Sequence, residues 1–484
     1  MKAISSEQVL SRIKTENPWW KSGNVQKIYT EMTERPYLDQ LYPLITDFSI
    51  RRSVVLMGPR RVGKTVIIFH AINRLINDGI PVDNILYISV DHPLYNNLSF
   101  DDFIDKFKTI SPLDLDKEQI YIFFDEVQYL KNWEVYLKKI VDTYPNMKCI
   151  VSGSAAAALK LKSRESGAGR FTDFLLPPLT FYEYLLLLGK EDIVEINNDT
   201  EKNNGPEHWE GVYFVKDKKQ LNKHFIDYLN YGGYPELALS STIRKNPQQF
   251  IKSDIIDKVL LRDLPSLYGI NDIQELNQLF TTLAYNTGDE VSLGELSKNS
   301  GVAKNTIKKY IEYLEAAFLI KTIHRIDQNA KKFERATTFK VYLTNPSIRA
   351  ALFTPIDSED PCMGMVVETA IFSQWFHRPD TNLFYARWHK NKSNSGEIDI
   401  VRLNKDNYRP TWAVEVKWTD RYVSKTEELK GLVSFCHKHN LSQGWVTTKT
   451  INEENKVYEN ISFHFIMASL YAYILGYNTI TKNQ

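Results

Sequence analysis

Apolar runs that alternate with amphipathic stretches organise the first half of the chain. Ser53-Val54-Val55-Leu56-Met57 is a short buried-strand pattern, and Asn84–Val90, Ile120–Phe124 and Met147–Ser152 repeat it. After the first of these, Val66, Phe69, Ile72, Leu75 and Ile76 fall at helical spacing. Strands that are apolar throughout and separated by helices predict a parallel sheet covered on both faces, an α/β architecture. Ahead of it, residues 1–50 read as amphipathic helices anchored by Trp19, Trp20, Tyr29, Tyr37 and Tyr42. Residues 179–265 read as mostly helical, with a polar loop from about Glu191 to Gly211. Leu293–Ser300 and Lys304–Leu314 then form two short helices across a Gly301 turn. Ile307, Ile311 and Leu314 lie at core spacing, leaving Lys304, Asn305, Lys308 and Lys309 outward. Phe318–Ile323 follows as a strand. From about 331 short strands return, with helices near 362–377 and 425–439.

These patterns divide the 484 residues into segments 1–178, 179–265, 266–330 and 331–484, where length alone suggests about three domains. Hydrophobic content of 43% and charged content of 25% are those of a soluble globular protein. A net charge of +1 excludes a global field that draws in nucleic acid, so any basic surface is local. Cys149, Cys362 and Cys436 are too few and too scattered for a disulfide framework. The N-terminal residues lack the apolar core of a signal peptide, and the best apolar stretch, Phe465 to Leu475, is too short to span a bilayer. The expectation is a cytoplasmic protein with no membrane partner.

Gly58-Pro59-Arg60-Arg61-Val62-Gly63-Lys64-Thr65 fits G-x-x-x-x-G-K-[ST], the phosphate-binding P-loop or Walker A motif, between a strand and a helix as that motif requires. Gly58 and Gly63 allow the tight bend that turns backbone N–H groups toward phosphate oxygens. Lys64 brings charge to the terminal phosphates, and Thr65 offers a hydroxyl to Mg²⁺. The helix that follows presents its N-terminus to an anion. The third strand ends in Asp125-Glu126, which suits a carboxylate beside the loop holding Mg²⁺ and a second group that activates the attacking water. The fourth ends in Ser152-Gly153-Ser154. Ser154, with Ser152 close behind, is the candidate contact to that water or to the γ-phosphate, the alternative being a simple turn. Arg170 is a candidate finger reaching a neighbouring subunit's nucleotide in a homo-oligomer, or else a surface ion-pair partner.

Gly58–Thr65, Asp125-Glu126, Ser152–Ser154 and Gly169-Arg170 together resemble the AAA+ ATPases. More closely, the chain is similar to a prokaryotic family of AAA-type ATPases with a C-terminal extension. Further likeness lies in Pro178-Leu179-Thr180-Phe181-Tyr182-Glu183, Gly232-Gly233-Tyr234-Pro235-Glu236 and Leu261-Arg262-Asp263-Leu264. The resemblance implies a P-loop core with a helical lid, then a winged helix, then a PD-(D/E)xK, restriction-endonuclease-like domain. In a DNA reader the second helix of the 293–314 pair enters the major groove, where Lys304, Asn305, Lys308 and Lys309 meet phosphates and base edges. Winged helices also serve as packing or partner-binding modules.

Phe384–Trp388 and Glu397–Val401 form a hairpin signal, and Ala413–Trp418 a further strand that places Glu415 and Lys417 on one face. With Asp399 this is D…E-x-K; the leading proline is absent. Glu368 resembles the extra helical carboxylate of many such nucleases. Two carboxylates ~4 Å apart repel by about 4 kcal/mol at an effective dielectric near 20. Lys417 offsets one of three negative charges. The rest calls for Mg²⁺ or Mn²⁺ held by Glu368, Asp399 and Glu415, or for raised pKa values. The function expected is therefore ATP hydrolysis coupled to a nucleic-acid-binding or metal-dependent nuclease-like domain. The alternative is an ATP-dependent switch in which that domain binds DNA or protein without cleaving. Cys436, His437 and His439 are too few neighbours for zinc and read as a helix with one buried cysteine.

Overall fold

Every residue of β1 (Ser53–Met57), β3 (Ile120–Asp125) and β4 (Met147–Gly153) is buried, and so is all of β2 (Ile85–Ser89) except Ser89. This is what apolar strands covered on both faces require. β5 (Phe171–Leu175), at the sheet edge, buries only Phe171 and Phe174 and leaves the residues between them more open. In the computed structural model the described residues are all except 1–4, 97, 112, 115–116, 154–168, 198–211, 328, 331–337, 379–381, 392–393, 453 and 482–484. The chain divides into two units, Met1–Pro177 and Pro178–Asn483.

The five strands of the first unit are parallel, in the order β2-β3-β4-β1-β5. Their carboxyl ends therefore share one rim, the edge where open α/β sheets hold ligands. β4 lies between β1 and β3, pairing Leu56 with Ser152 on one side and Phe124 with Val151 on the other, and Asp125 at the end of β3 still stands beside the loop, bonded to Thr65. The reason is topological: a helical crossover can pass over a strand and return to the next position. Asn17, Trp19 and Trp20 cover the open edge of β2. Asn17 exchanges hydrogen bonds with the Tyr87 backbone (2.8 and 2.6 Å), and Trp19 and Trp20 both donate indole N–H groups to the Ile85 carbonyl (3.2 and 2.9 Å). An edge that would otherwise template pairing with another chain is thereby closed.

In the second unit, β6 (Val194–Ile196) and β7 (Tyr213–Val215) form a small antiparallel pair. The stretch expected to be a loop from 191 thus begins with a 3-10 turn, Glu191–Ile193, and the strand β6, and residues 198–211 lie outside the described residues. The remaining strands are β8 (Glu290–Ser292), β9 (Ile320–Ile326), β10 (Thr338–Leu343), β11 (Leu383–Asn391), β12 (Asn394–Leu403), β13 (Pro410–Glu415), β14 (Gln443–Thr448), β15 (Glu454–Tyr458) and β16 (Ile461–Met467). They make one nine-stranded sheet, β15-β16-β14-β13-β12-β11-β9-β10-β8. The parallel pairing of Arg325 with Tyr385 and Ile326 with Ala386 joins the strands after the helix-turn-helix to the C-terminal ones.

The short motifs of the middle segment have structural work in this unit. Thr180 caps the helix Phe181–Leu187 in a capping box with the fully buried Glu183. Leu179 N–H donates to the Gly233 carbonyl (2.9 Å), Tyr228 hydroxyl to the Leu179 carbonyl (2.9 Å), and Phe181 N–H to Gln374 Oε1 (2.9 Å). A Cβ at Gly232 would sit 2.0 Å from Tyr228 Cδ2, which is why that close approach uses glycine. Leu261–Leu264 spans the end of a stretch of wide helical turns, Gln249–Asp257 and Val259–Asp263. Among the described residues, no helix is long and apolar enough to cross a membrane.

Candidate nucleotide site and carboxylate centre

The turn after β1 needs two backbone features that its sequence supplies. Gly63 has φ +94°, a conformation that side-chain-bearing residues rarely adopt. At Gly58 an added Cβ would lie 2.2 Å from the Leu176 carbonyl oxygen. The loop opens into the helix Lys64–Asn77, whose first N–H groups have no partner within the helix. Lys64 is only 6% exposed, and its ammonium turns back across the loop to the carbonyls of Gly58 (3.1 Å) and Pro59 (2.8 Å). Pro59 and Val62 are buried, Arg60 is half-buried and Arg61 exposed, with φ +65°. Arg35, absent from the sequence-based set, holds the loop from behind. It is 5% exposed and donates to the carbonyls of Val62 (2.9 Å) and Pro177 (3.0 Å).

Asp125, 2% exposed, receives four neutral donors. Thr65 (2.7 Å) and Tyr87 (3.1 Å) donate hydroxyls to Oδ2, while Ser152 hydroxyl and Glu126 N–H (3.2 Å) bond Oδ1. Burial, then the Asp125 charge, push the Tyr87 hydroxyl far up, so it stays a donor. Glu126 sits at φ +58°, a left-handed conformation costing a non-glycine residue about 1–2 kcal/mol. Strain of this kind persists where the surroundings over-determine it. Gln128 Nε2 donates to Glu126 Oε2.

Of the two serines, Ser152 reaches Asp125, and Ser154 lies outside the described residues. Arg170 stands at the start of β5, where its carbonyl pairs with Ser53 N–H (3.0 Å) at the amino end of β1, opposite to the P-loop. Its side chain pairs with Asp142 at 2.5 Å. It therefore serves no nucleotide of its own unit.

This donor set fits a magnesium triphosphate: a glycine-shaped bend, a helix N-terminus, one buried ammonium, and a hydroxyl bonded to a carboxylate. The loop backbone and Lys64 would hold the phosphates, and Thr65 and Asp125 the Mg²⁺.

In the second unit Glu368, Asp399, Glu415 and Lys417 are brought together. β13 ends at Glu415, so Lys417 lies beyond the strand, yet its ammonium meets Glu415 Oε2 (2.7 Å) and Asp399 Oδ2 (3.1 Å). Val416 N–H also donates to Asp399 (2.8 Å). A second lysine, unanticipated from sequence, enters from β10. Lys340 Nζ, on a side chain 4% exposed, lies 3.0 Å from Glu368 Oε1, 2.9 Å from Glu397 Oε1 and 4.0 Å from Asp399 Oδ1. Tyr342 hydroxyl donates to Glu368 Oε1 (2.5 Å). Its signal was a charge inside the otherwise apolar run Phe339–Leu343. Among the described residues no group of three or more His, Cys, Asp or Glu is arranged to hold a metal ion. Cys436 is buried, as expected, and His437 pairs with Glu459 (3.0 Å).

Burial raises Glu368 and lifts Glu415 to about 8, with Lys417 pulling the latter back and Asp399 pushing it further. Burial works to raise Asp399 too, but Lys417 and Lys340 outweigh it and hold it below the usual carboxylate range. The unfolded chain gives up the Glu415 proton near 4.5, and the folded chain keeps it to about 8. Between those values the folded state binds more protons, so stability falls as pH rises. The thermal midpoint should drop more steeply from about pH 5 to 8 in the native protein than in Glu415→Gln. Equal slopes would remove Glu415 as the source.

The helix-turn-helix forms as its pattern predicts. Ile307, Ile311 and Leu314 are buried, and Lys304, Asn305, Lys308 and Lys309 are exposed. Ser292 caps the first helix and Gly301, at φ +75°, ends it.

Residues 50–185 match a family model described as an AAA domain, and residues 222–360 match a domain of unknown function (DUF8612). The chain is 24% identical over 355 residues to an uncharacterized protein of Methanocaldococcus jannaschii, covering 72% of this chain and 71% of that one. It is 26% identical over 320 residues to an uncharacterized protein of Haemophilus influenzae, covering 65% and 71%. A solved Walker-type ATPase of Pyrococcus abyssi aligns with TM-score 0.37 and 14% identity, covering 68% of this chain and 97% of that one. Residues 50–185, which carry the P-loop and Asp125, are thus similar to an AAA domain.

Proposed function

We propose that the chain binds and hydrolyses ATP with Mg²⁺, and that the nucleotide state governs nucleic-acid binding by its C-terminal unit. The observation that carries the reading is the Thr65–Asp125 hydrogen bond of 2.7 Å, which ties the P-loop helix to the tip of β3 across the intervening strand. When bound, magnesium triphosphate supplies the phosphoanhydride bond to be broken. The residues of the chain then divide the work. Lys64 neutralises phosphate charge, Asp125 holds the metal side of the site, and Glu126 takes the proton of the attacking water. Ser154 is assigned to that water or the γ-phosphate, and Arg170 to a neighbouring subunit's nucleotide in a homo-oligomer.

In the second unit, the helix pair with β8, β9 and β10 is read as a winged helix, and β11 to β16 with their helices as a PD-(D/E)xK-like fold. The exposed Lys304, Lys308 and Lys309 support DNA contact by the second helix. The non-cleaving form of the reading is favoured, because two lysines already face the D…E-x-K carboxyl groups. DNA binding measured across a salt series tests the assignment. Replacing Lys304, Lys308 and Lys309 by Ala should weaken binding to all sequences and flatten the log K–log salt slope by up to about 0.9 per lost phosphate contact. An unchanged slope would mean that this helix does not meet DNA.

A further inference from the structure

Lys340 reaches the carboxylate centre from a different part of the sheet than the residues of the D…E-x-K pattern. It lies on β10, whereas Asp399 is on β12, Glu415 on β13 and Glu368 on the helix Met363–Trp375. Its ammonium bonds Glu368 Oε1 and Glu397 Oε1, approaches Asp399 Oδ1, and lies 5.4 Å from the centre of the Tyr385 ring. Lys417 takes Asp399 Oδ2 and Glu415 Oε2. Glu397 has Arg387 as a further cation at 3.6 Å. Every carboxylate of the expected metal set is therefore already bonded to an ammonium.

Mg²⁺ would need oxygens at about 2.0–2.1 Å in near-octahedral array. Two of the oxygens that could supply them, Glu368 Oε1 and Asp399 Oδ1, face Lys340. A doubly charged ion there would stand against a buried like charge that has few routes to solvent. The residues present do not fit the metal that the nuclease resemblance implies.

We infer that Lys340 holds the place of the divalent cation, so that Glu368, Asp399 and Glu415 form a metal-free lock of ammonium–carboxyl contacts joining β10 to β12, β13 and the helix Met363–Trp375. The lock fixes the helix-turn-helix strands to the C-terminal strands and performs no phosphodiester hydrolysis. This deepens the non-cleaving form of the proposed function and is independent of the nucleotide site.

Mn²⁺ titration of the full chain, followed by water-proton relaxation without nucleotide, tests it. Asp125→Asn is included so that the P-loop carboxylate does not contribute. The Asp125→Asn chain should show no Mn²⁺ site that depends on Asp399. Adding Lys340→Met should create one. A site in the Asp125→Asn chain that Asp399→Asn abolishes overturns the inference. A folded Lys340→Met chain that gains no site overturns the role given to the lysine. Should Lys340→Met not fold, the native protein decides: Mn²⁺-dependent nicking of supercoiled DNA that Asp399→Asn abolishes refutes the lock, and no Asp399-dependent nicking supports it. ATP binding by the same native sample reports the nucleotide reading separately.

Discussion

Lys64→Ala should raise the dissociation constant for ATP by about 10²–10⁴. A charge-assisted hydrogen bond contributes roughly 1.5–3 kcal/mol, and a terminal phosphate would engage Lys64 through two of them. The resulting ~3–6 kcal/mol corresponds to that range at 1.4 kcal/mol per tenfold. Lys64 also bonds the carbonyls of Gly58 and Pro59, so the substitution releases the loop as well as the ligand. Calorimetric titration with ATP and Mg²⁺, with a denaturant curve on the same sample, separates the two effects. Affinity within a few-fold of native on a folded variant would remove Lys64 from the site, and with it the P-loop reading.

Glu126→Gln should leave ATP binding near native and lower turnover by about 10²–10⁴, the usual contribution of a positioned general base. The substitution keeps the shape of the side chain and removes its capacity to take a proton. The amide can still accept the Gln128 hydrogen bond through its oxygen, so the local conformation at φ +58° has no new reason to change. Single-turnover hydrolysis with saturating ATP reads the chemical step directly. Lost binding with unaltered turnover per bound nucleotide would assign Glu126 a structural role.

Local patterns were legible where one physical demand dominated. The P-loop reads from its spacing because bend, charge and hydroxyl must fall at fixed positions. β1 to β4 read from apolar runs because both faces are buried, and the helix pair at 293–314 from its period. β5 did not read as a strand because Phe171-Thr172-Asp173-Phe174-Leu175 carries an edge strand's mixed pattern. The insertion of β4 between β1 and β3 is a matter of crossover order, which no window of residues encodes. Arg35 and Lys340 escaped for a shared reason. A charged side chain in sequence looks solvated, and only tertiary structure reveals that its partners are loop carbonyls in one case and three carboxylates in the other. The convergence of Asp399, Glu415, Lys417 and Glu368 was foreseen. The ion that balances them was sought in solution, whereas the chain carries it.

The order in which the nine-stranded sheet draws on the chain bears on biosynthesis. The first unit has all its described strands once residue 175 is made, and it can fold while translation continues. The second cannot. The core beneath Phe181, Phe225 and Tyr228 includes Leu470, Tyr471 and Ile474 from the helix Ala468–Thr481. Contacts this distant along the chain slow folding and leave apolar surface waiting for its partner. The first unit thus emerges from the ribosome finished well before the second has a core, and the interval between the two is when aggregation is most to be expected.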